Sequence, residues 1–359
     1  MSDDKLKEWR NEIDRIDANL LTLLNERYEY VKKIGEWKAE RGLPVYVPER
    51  ERALLKKLEE MEHPLLPDSA LRAIFREIIS GARQLEQPFT VAYLGPQGTF
   101  SHMAAMRRFG HSAEYQATHS IAEVFREVEC ERAEFGCVPI ENSTEGTVNY
   151  TLDMLMSSEL SICEEVNLRI HHSLLSNYAL EEIRVVYSHP QILGQCREYL
   201  LRTLPEADLI EVASSTAAAE RAAQEKYSAA LANALAGELF SLPVLAENVE
   251  DYRRNCTRFL VLGRQLTVPT GDDKTSICFV VKDRPGVLYD SLAPLKAAGL
   301  TMTMIESRPV KTANWQYCFF IDLLGHRNDP FMSRAFAELE KYCSMFKVLG
   351  SYPRAREEV

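Results

Sequence analysis

Arg27 and Lys38 stand eleven residues apart in a run rich in Glu, Lys, Arg and Leu that no proline interrupts. On an α-helix that spacing puts them within about 20° of one face and about 16 Å apart along the axis, so two long side chains leaning inward leave room for one small dianion. Arg10, seventeen residues earlier, falls about 100° round and about 25 Å away, so it reaches the same pocket only from a second copy of the chain. Spacing alone equally fits the solvated face of a charged helix. Two further stretches, Val138-Pro-Ile-Glu-Asn-Ser-Thr-Glu-Gly146 and Asn255-Cys-Thr-Arg-Phe259, are distinctive and carry hydroxyl and amide side chains. Such groups orient and polarise a ligand by hydrogen bonding. Gly95 to Ser101, Ser188 to Gln191 and Ser214 to Thr216 each follow a strand and open a helix, where free backbone N–H groups can converge on a small anion. Each is also an ordinary helix cap. A third pair of segments, the turn Gly286-Val287-Leu288 and the strand exit Glu306-Ser307-Arg308-Pro309, is a turn and a strand end on residue chemistry alone.

The balance of 42 Lys and Arg against 53 Asp and Glu leaves a formal charge of -11. That field repels a phosphate backbone, so nucleic acid is excluded as a partner, and an anionic ligand needs specific cations acting over a short range. The start MSDDKLKEWR carries no apolar export region, and no apolar run approaches about 18 residues, so a cytoplasmic location away from the membrane is expected. Eight cysteines without a CxxC spacing are expected to be reduced packing residues. The eight histidines form no HxxxH or HxH pattern. Adjacent His171 and His172 would point to opposite faces of a strand, so no metal site is expected.

At 359 residues the chain is long enough for two or three domains. Residues 1–88 carry helical periodicity broken at Arg41-Gly42-Leu43-Pro44 and Pro48. Leu6, Trp9, Ile13, Ile16, Leu20, Leu23, Leu24, Val31 and Ile34 mark a first helix of about thirty residues. A second is expected over Arg50 to Met61, and a third, capped by Asp68 or Ser69, to about Leu85. So long an apolar stripe cannot be covered by two shorter helices, which points to an intertwined dimer. From Thr90 short apolar runs alternate with helical stretches, the pattern of α/β layers with mainly parallel sheets in two lobes. From Lys274 the order is strand, helix, strand, strand, helix, strand, the ferredoxin-like βαββαβ arrangement.

Residues 1–88, in particular LKEWRNEIDRIDANLLTLLNERYEYVKKIGEWKAERGLPVYVPERE, resemble the chorismate mutase domain of the all-helical type. The resemblance implies that Arg10 of the other subunit, Arg27 and Arg50 hold two carboxylates, that Lys38 faces the ether oxygen of the breaking bond, and that Glu51 faces the ring hydroxyl. The implied reaction is the Claisen rearrangement of chorismate to prephenate, which needs no cofactor. Val47, Ala82 and Glu86 stand where some relatives have Asp, Ser and Gln. A carboxyl at Glu86 donates a hydrogen bond only when protonated, so mutase activity is expected to decline as pH rises, with Glu86 held partly protonated by burial.

VAYLGPQGTFSHMAA, VPIENSTEGTV, YSHPQILGQC and NCTRFLVLG, across residues 90–263, resemble prephenate dehydratase. That family has two α/β lobes of the periplasmic-binding-protein type with the substrate between them, and residues 89–266 are assigned to this domain. The resemblance implies that Thr257 is central to catalysis, with Asn142, Ser188 and Gln195 in the site and Glu141 and Arg258 beside them. Loss of CO2 and the ring hydroxyl gives phenylpyruvate. A threonine hydroxyl is too weak an acid to supply the proton unaided, so Glu141 is the candidate proton donor. DRPGVLYDSLAPL and IESRPVKTANWQYCFFIDL resemble the ACT regulatory domain of such bifunctional enzymes, assigned to residues 273–359. It implies that phenylalanine binds at Gly286, Val287, Leu288, Glu306, Ser307, Arg308 and Pro309 where two such domains meet, with Tyr289 departing from the commonest residue. The competing readings are a single-activity dehydratase with a helical dimerisation domain, and a non-enzymatic ligand sensor.

Overall fold

The structure, a computed structural model, describes residues 3–42, 48–252, 254–282, 284–310 and 316–355. It divides into two units, residues 1–89 with 109–114 and residues 90–108 with 115–359. Val47 and Asp283 lie outside the described residues.

The first unit is helical. α1 (Asp3–Ala39) runs for 37 residues, longer than the periodicity predicts, and ends where the Arg41 and Gly42 amides turn back to the Lys38 and Ala39 carbonyls. α2 (Pro48–Glu59) begins on a proline, which needs no amide partner in a first turn. α3 (Asp68–Glu86) differs from expectation at its start: its N-cap is Pro67, without a side-chain cap, and Asp68 is already helical. There its charge still favours the helix N-terminus. Val31 and Gly35 of α1 are buried, as are Leu71, Ile79, Ala82 and Arg83 of α3. Leu6, Trp9, Ile13, Ile16, Leu20 and Leu23 remain exposed along α1.

The second unit starts with β1 (Thr90–Leu94), α4 (Phe100–Phe109), β2 (Glu114–Thr118), α5 (Ile121–Glu129), β3 (Phe135–Asn142), β4 (Gly146–Thr147), α6 (Asn149–Ser157) and β5 (Ser161–Arg169). The chain then crosses to a second lobe of β6 (Ser173–Leu175), β7 (Val185–Ser188), α7 (Pro190–Gln195), α8 (Arg197–Thr203), β8 (Asp208–Glu211), α9 (Ser215–Gln224), β9 (Ser228–Ala232), α10 (Ala234–Phe240) and β10 (Val244–Ala246). It returns through residues 247–255 to β11 (Cys256–Gly263), which lies between β3 and β5 in the order β2-β1-β3-β11-β5. The second sheet has the order β10-β6-β9-β7-β8. Neither sheet is mainly parallel. β1 with β3, and β7 with β8 and β9, are parallel, but β11 is antiparallel to β3 and β5, and β6 to β9 and β10. Apart from β4, which forms a hairpin with β3, the antiparallel strands are those on either side of the two lobe crossings, where the chain enters from the opposite end.

β12 (Asp273–Val281), α11 (Val287–Ala297), β13 (Met302–Pro309), β14 (Tyr317–Leu324), α12 (Pro330–Glu340) and β15 (Cys343–Pro353) form a four-stranded antiparallel sheet in the order β13-β14-β12-β15, the expected βαββαβ arrangement. Alternation along β12 and β14 gives each sheet face its own core. Ile277, Phe279, Ile321 and Leu323 pack with Leu295, Met332 and Phe336 of the two helices. Cys278, Val280 and Phe320 pack with Phe125, Ile140, Leu152 and Leu260 of the first lobe. Cys137, Cys163, Cys196, Cys278, Cys318 and Cys343 are free and buried, and burial pushes Cys137 and Cys163 up to about 12.

Candidate active sites

In the helical unit Lys38 meets Glu86 with 3.0 Å between Nζ and Oε2, their side chains 16% and 11% exposed. The approach depends on Gly35, where a Cβ would stand 3.2 Å from the Glu86 Cα and 3.1 Å from its Cγ. The pairing is that of an ammonium with a carboxylate. This differs from the expected carboxyl hydrogen held ready for a substrate. Glu51 is likewise engaged: Arg83 approaches its two oxygens at 2.9 and 3.1 Å from Nε and Nη2. Arg83 is absent from the residues the sequence singles out, although its position one turn before Glu86 puts it on a neighbouring face of α3. Arg27, half-buried, has a buried Nη1 with no hydrogen-bond partner. Arg10 and Arg50 are exposed, and Ala82 is buried.

In the second unit Asn142 at the end of β3, Thr257 on β11, Gln195 at the end of α7 and Asn255 at the return crossing form one network. Its polarity is set at one end. The backbone N–H groups of Thr144 and Glu145 donate to Asn142 Oδ1 over 2.9 and 3.1 Å, with the Thr144 hydroxyl at 2.6 Å. A backbone N–H only donates, so that atom is the oxygen and Nδ2 carries the hydrogens. Nδ2 donates to Asn255 Oδ1 at 2.8 Å and to Thr257 Oγ1 at 2.7 Å. The Thr257 oxygen is therefore an acceptor inside the network, and its own hydrogen is left to donate outward. Asn255 in turn donates through Nδ2 to Gln195 Oε1 at 3.4 Å, an oxygen that also receives His172 Nε2 at 2.8 Å. The Gln195 NH2 consequently faces away from the network as a second donor. Asn255 and His172 are not among the residues predicted from sequence. In the sequence Asn255 stands only as the first residue of the Asn255–Phe259 motif.

His171 and His172 lie in the first lobe crossing rather than within a strand. His171 Nδ1 and the His172 backbone N–H contact the two oxygens of Glu250 at 2.8 and 2.9 Å. Burial pushes Glu250 up, but the His172 amide and His171 bring its carboxyl below the ordinary value overall. The His172 ring is 1% exposed, and burial pushes its pKa below the ordinary histidine value.

The three strand–loop–helix termini are used differently from one another. Thr216 Oγ1 donates to the Gln97 carbonyl and Asn233 Nδ2 to the Gly98 carbonyl, each at 2.8 Å, so the first-lobe loop is tied to the second lobe. Ser214 is an ordinary cap, accepting from the Ala217 N–H at 3.0 Å. Ser188 is fully buried and donates to the Leu231 carbonyl at 2.7 Å, so its hydroxyl joins β7 to β9 instead of facing a ligand.

Arg258 and Glu141 also depart from the expected placement. Thr257 pairs with Asn142 and Arg258 with Glu141 across the β11–β3 ladder, so the two pairs point to opposite sides of the sheet. Arg258 reaches Asp322 at 2.5 Å, Glu165 at 2.7 Å, Tyr352 at 3.0 Å and Glu141 at 3.2 Å. It anchors the first lobe to the C-terminal sheet and does not line the cleft. Glu141, held by Arg258 on that far side, is not placed to protonate a group at Thr257.

On the C-terminal sheet Gly286 is the N-cap of α11 with φ 76°, Val287 is buried and Leu288 packs into the helix-side core. Tyr289 is exposed. Along β13, Ser307 and Pro309 are exposed while Glu306 and Arg308 turn inward. Glu306 accepts from Thr147 Oγ1 at 2.7 Å, and Arg308 Nε lies 3.3 Å from Asp153. Thr147 belongs to β4, the hairpin partner of the strand that carries Asn142.

Residues 9–87 match the family model described as chorismate mutase type II, and residues 91–267 match that of prephenate dehydratase. An isomerase domain followed by a lyase domain defines a two-activity enzyme. A bifunctional chorismate mutase/prephenate dehydratase of Aquifex aeolicus (strain VF5) is 46% identical over 357 residues, spanning 98% of this chain and 99% of its own. That of Stutzerimonas stutzeri is 43% identical over 359 residues, with 98% of each chain covered. The crystal structure of a prephenate dehydratase from Arthrobacter aurescens, in complex with L-Phe, is 33% identical and covers 74% of this chain and 90% of its own, with a TM-score of 0.69. The chain belongs to the bifunctional chorismate mutase/prephenate dehydratase family. It converts chorismate to prephenate and prephenate to phenylpyruvate, towards phenylalanine. No helix of the described residues is long and apolar enough to cross a membrane.

Proposed function

We propose that the two reactions use the two side-chain sets described above, and that phenylalanine restrains the second through the C-terminal domain. In the mutase site Arg27, Arg50 and a second copy's Arg10 take the carboxylates. Lys38 leaves Glu86 to face the ether oxygen, where negative charge gathers as the C–O bond breaks. Glu51 accepts from the ring hydroxyl. Confinement of one reactive conformer supplies the rest, and neither nucleophile nor cofactor is needed. The buried, unpaired Nη1 of Arg27 supports this reading, since a buried donor without an acceptor is costly unless a ligand satisfies it. The exposed apolar stripe of α1 supports a second copy packing along it, which also brings the partner's cation to the pocket. Glu86→Gln removes the carboxylate that Lys38 must leave and puts an amide donor in its place, so the mutase rate on chorismate is expected not to fall.

In the dehydratase site Thr257 donates to the departing ring hydroxyl while the electron pair of the breaking C–CO2 bond enters the ring, and the Gln195 amide donates beside it. The observation that carries this reading is the polarity of the network, which leaves a hydrogen to donate outward at both residues. Donors are what a leaving hydroxide and a carboxylate require. Residues 273–359 are read as an ACT domain that binds phenylalanine at the Gly286 to Leu288 turn and the Glu306 to Pro309 segment, at a meeting of two copies in a cytoplasmic oligomer. Glu306 and Arg308 already hold β4 and α6 of the dehydratase, so an effector that shifts β13 moves the hairpin bearing Asn142. Such an effector acts only through unequal affinity for the two arrangements. The test supplies chorismate and follows prephenate and phenylpyruvate together, with and without phenylalanine. Phenylalanine is expected to slow phenylpyruvate formation, and an unchanged rate at saturation rejects the regulatory role.

A further inference from the structure

The return crossing and the first crossing between the lobes meet at one atom, Gln195 Oε1, which accepts from both Asn255 and His172. We infer that His172 is a positioning residue of the dehydratase, whose Nε2–H fixes the Gln195 amide so that its NH2 is presented to the substrate. This rests on the reading of Gln195 as a site donor.

The tautomer follows from groups that leave no choice. The backbone amides of Thr144 and Glu145 make Asn142 Oδ1 an acceptor, which makes Asn142 Nδ2 the donor to Asn255 Oδ1. Asn255 Nδ2 then makes Gln195 Oε1 an acceptor, and only a protonated Nε2 of His172 can complete it. The ring is held for this task from several sides. Its backbone N–H is bonded to Glu250, and Phe100 packs edge-on with 5.6 Å between ring centroids. His172 Nδ1 is buried with no hydrogen-bond partner. A ring kept only for packing has no use for such an orphaned nitrogen, whose burial is unfavourable. A ring kept for one directed N–H tolerates it. Without His172 a single bond of 3.4 Å from Asn255 holds the Gln195 oxygen, and the amide is free to turn over. Both orientations then compete, and the one with oxygen outward opposes a departing hydroxide.

The test is a double-mutant cycle on the full-length enzyme, assayed on prephenate, with thermal unfolding followed for each variant. His172→Leu is expected to lower kcat by about tenfold to a hundredfold with little change in KM, the size of a misdirected donor. His172→Gln, whose carboxamide nitrogen can reach the Nε2 position, is expected to stay within about threefold of the unmodified enzyme. In a Gln195→Ala background His172→Leu should cost no more than about twofold further, because the two residues act as one unit. Equal losses from His172→Leu in both backgrounds, or no loss from it alone, overturn the positioning role while leaving Gln195 as a site donor. An unimpaired Gln195→Ala enzyme overturns both.

Discussion

The two candidate sites handle the same ring before and after its rearrangement, yet they are built from opposite materials. In the helical unit full charges face full charges: Lys38 rests on Glu86 and Arg83 on Glu51. In the α/β unit the groups around Thr257 are neutral, and direction comes from a relay of hydrogen bonds that begins at two backbone amides. The difference follows from the reactions. A rearrangement that releases nothing gains most from cations placed on developing charge, whereas an elimination must show hydrogens to a leaving oxygen without trapping the product as an ion pair. In the second unit a cluster of ions lies on the other face of the sheet, where Arg258 joins Glu165, Asp322 and Glu141. Charge there ties the first lobe to the C-terminal sheet.

The contrast can be broken at several points. The largest effect is expected at Arg258. Its removal by Arg258→Ala leaves Asp322 buried with no cation and Glu165 with Lys274 alone, a loss of about 3–5 kcal/mol in denaturant unfolding. Lys38→Ala should lower mutase kcat/KM by about 10²–10³ while the rate on added prephenate is unchanged, measured on one preparation. Thr147→Val removes the hydroxyl that ties Glu306 to the Asn142 hairpin. It should shift the phenylalanine concentration for half-inhibition by about fivefold, the low end of measured couplings, with little effect on the uninhibited rate. The smallest effect concerns pH. Burial lowers the folded pKa of His102 and His172 from 6.5, so between that value and the folded one the unfolded chain binds more protons. The stability they contribute is present above pH 6.5 and lost as pH falls below it. Unfolding midpoints measured across that range should fall with acidity, and less so in His172→Gln.

Much of this organisation is legible in the amino-acid sequence. Helical periodicity locates α1 and its uncovered stripe, the alternation of apolar runs locates two lobes and a βαββαβ sheet, and Asn142, Gln195 and Thr257 do converge. Arg258 and Glu141 fail for a reason the sequence itself contains: each adjoins a cleft residue on a strand, and neighbours on a strand face opposite ways. The mixed sheets, Arg83, His172 and the partners of Arg258 depend on contacts between segments distant along the chain, which no local spacing encodes. Glu86 is partly buried, and its partner, Lys38, is another predicted site residue.

One measurement bears most directly on the division of labour between charged and neutral sites. Thr257→Val, close in shape but without the donating hydroxyl, is supplied with chorismate while prephenate and phenylpyruvate are followed together. Prephenate should form at the unmodified rate and accumulate, with phenylpyruvate slowed by about 10²–10³. Phenylpyruvate formed at the normal rate, or prephenate formation slowed alongside it, would contradict the assignment.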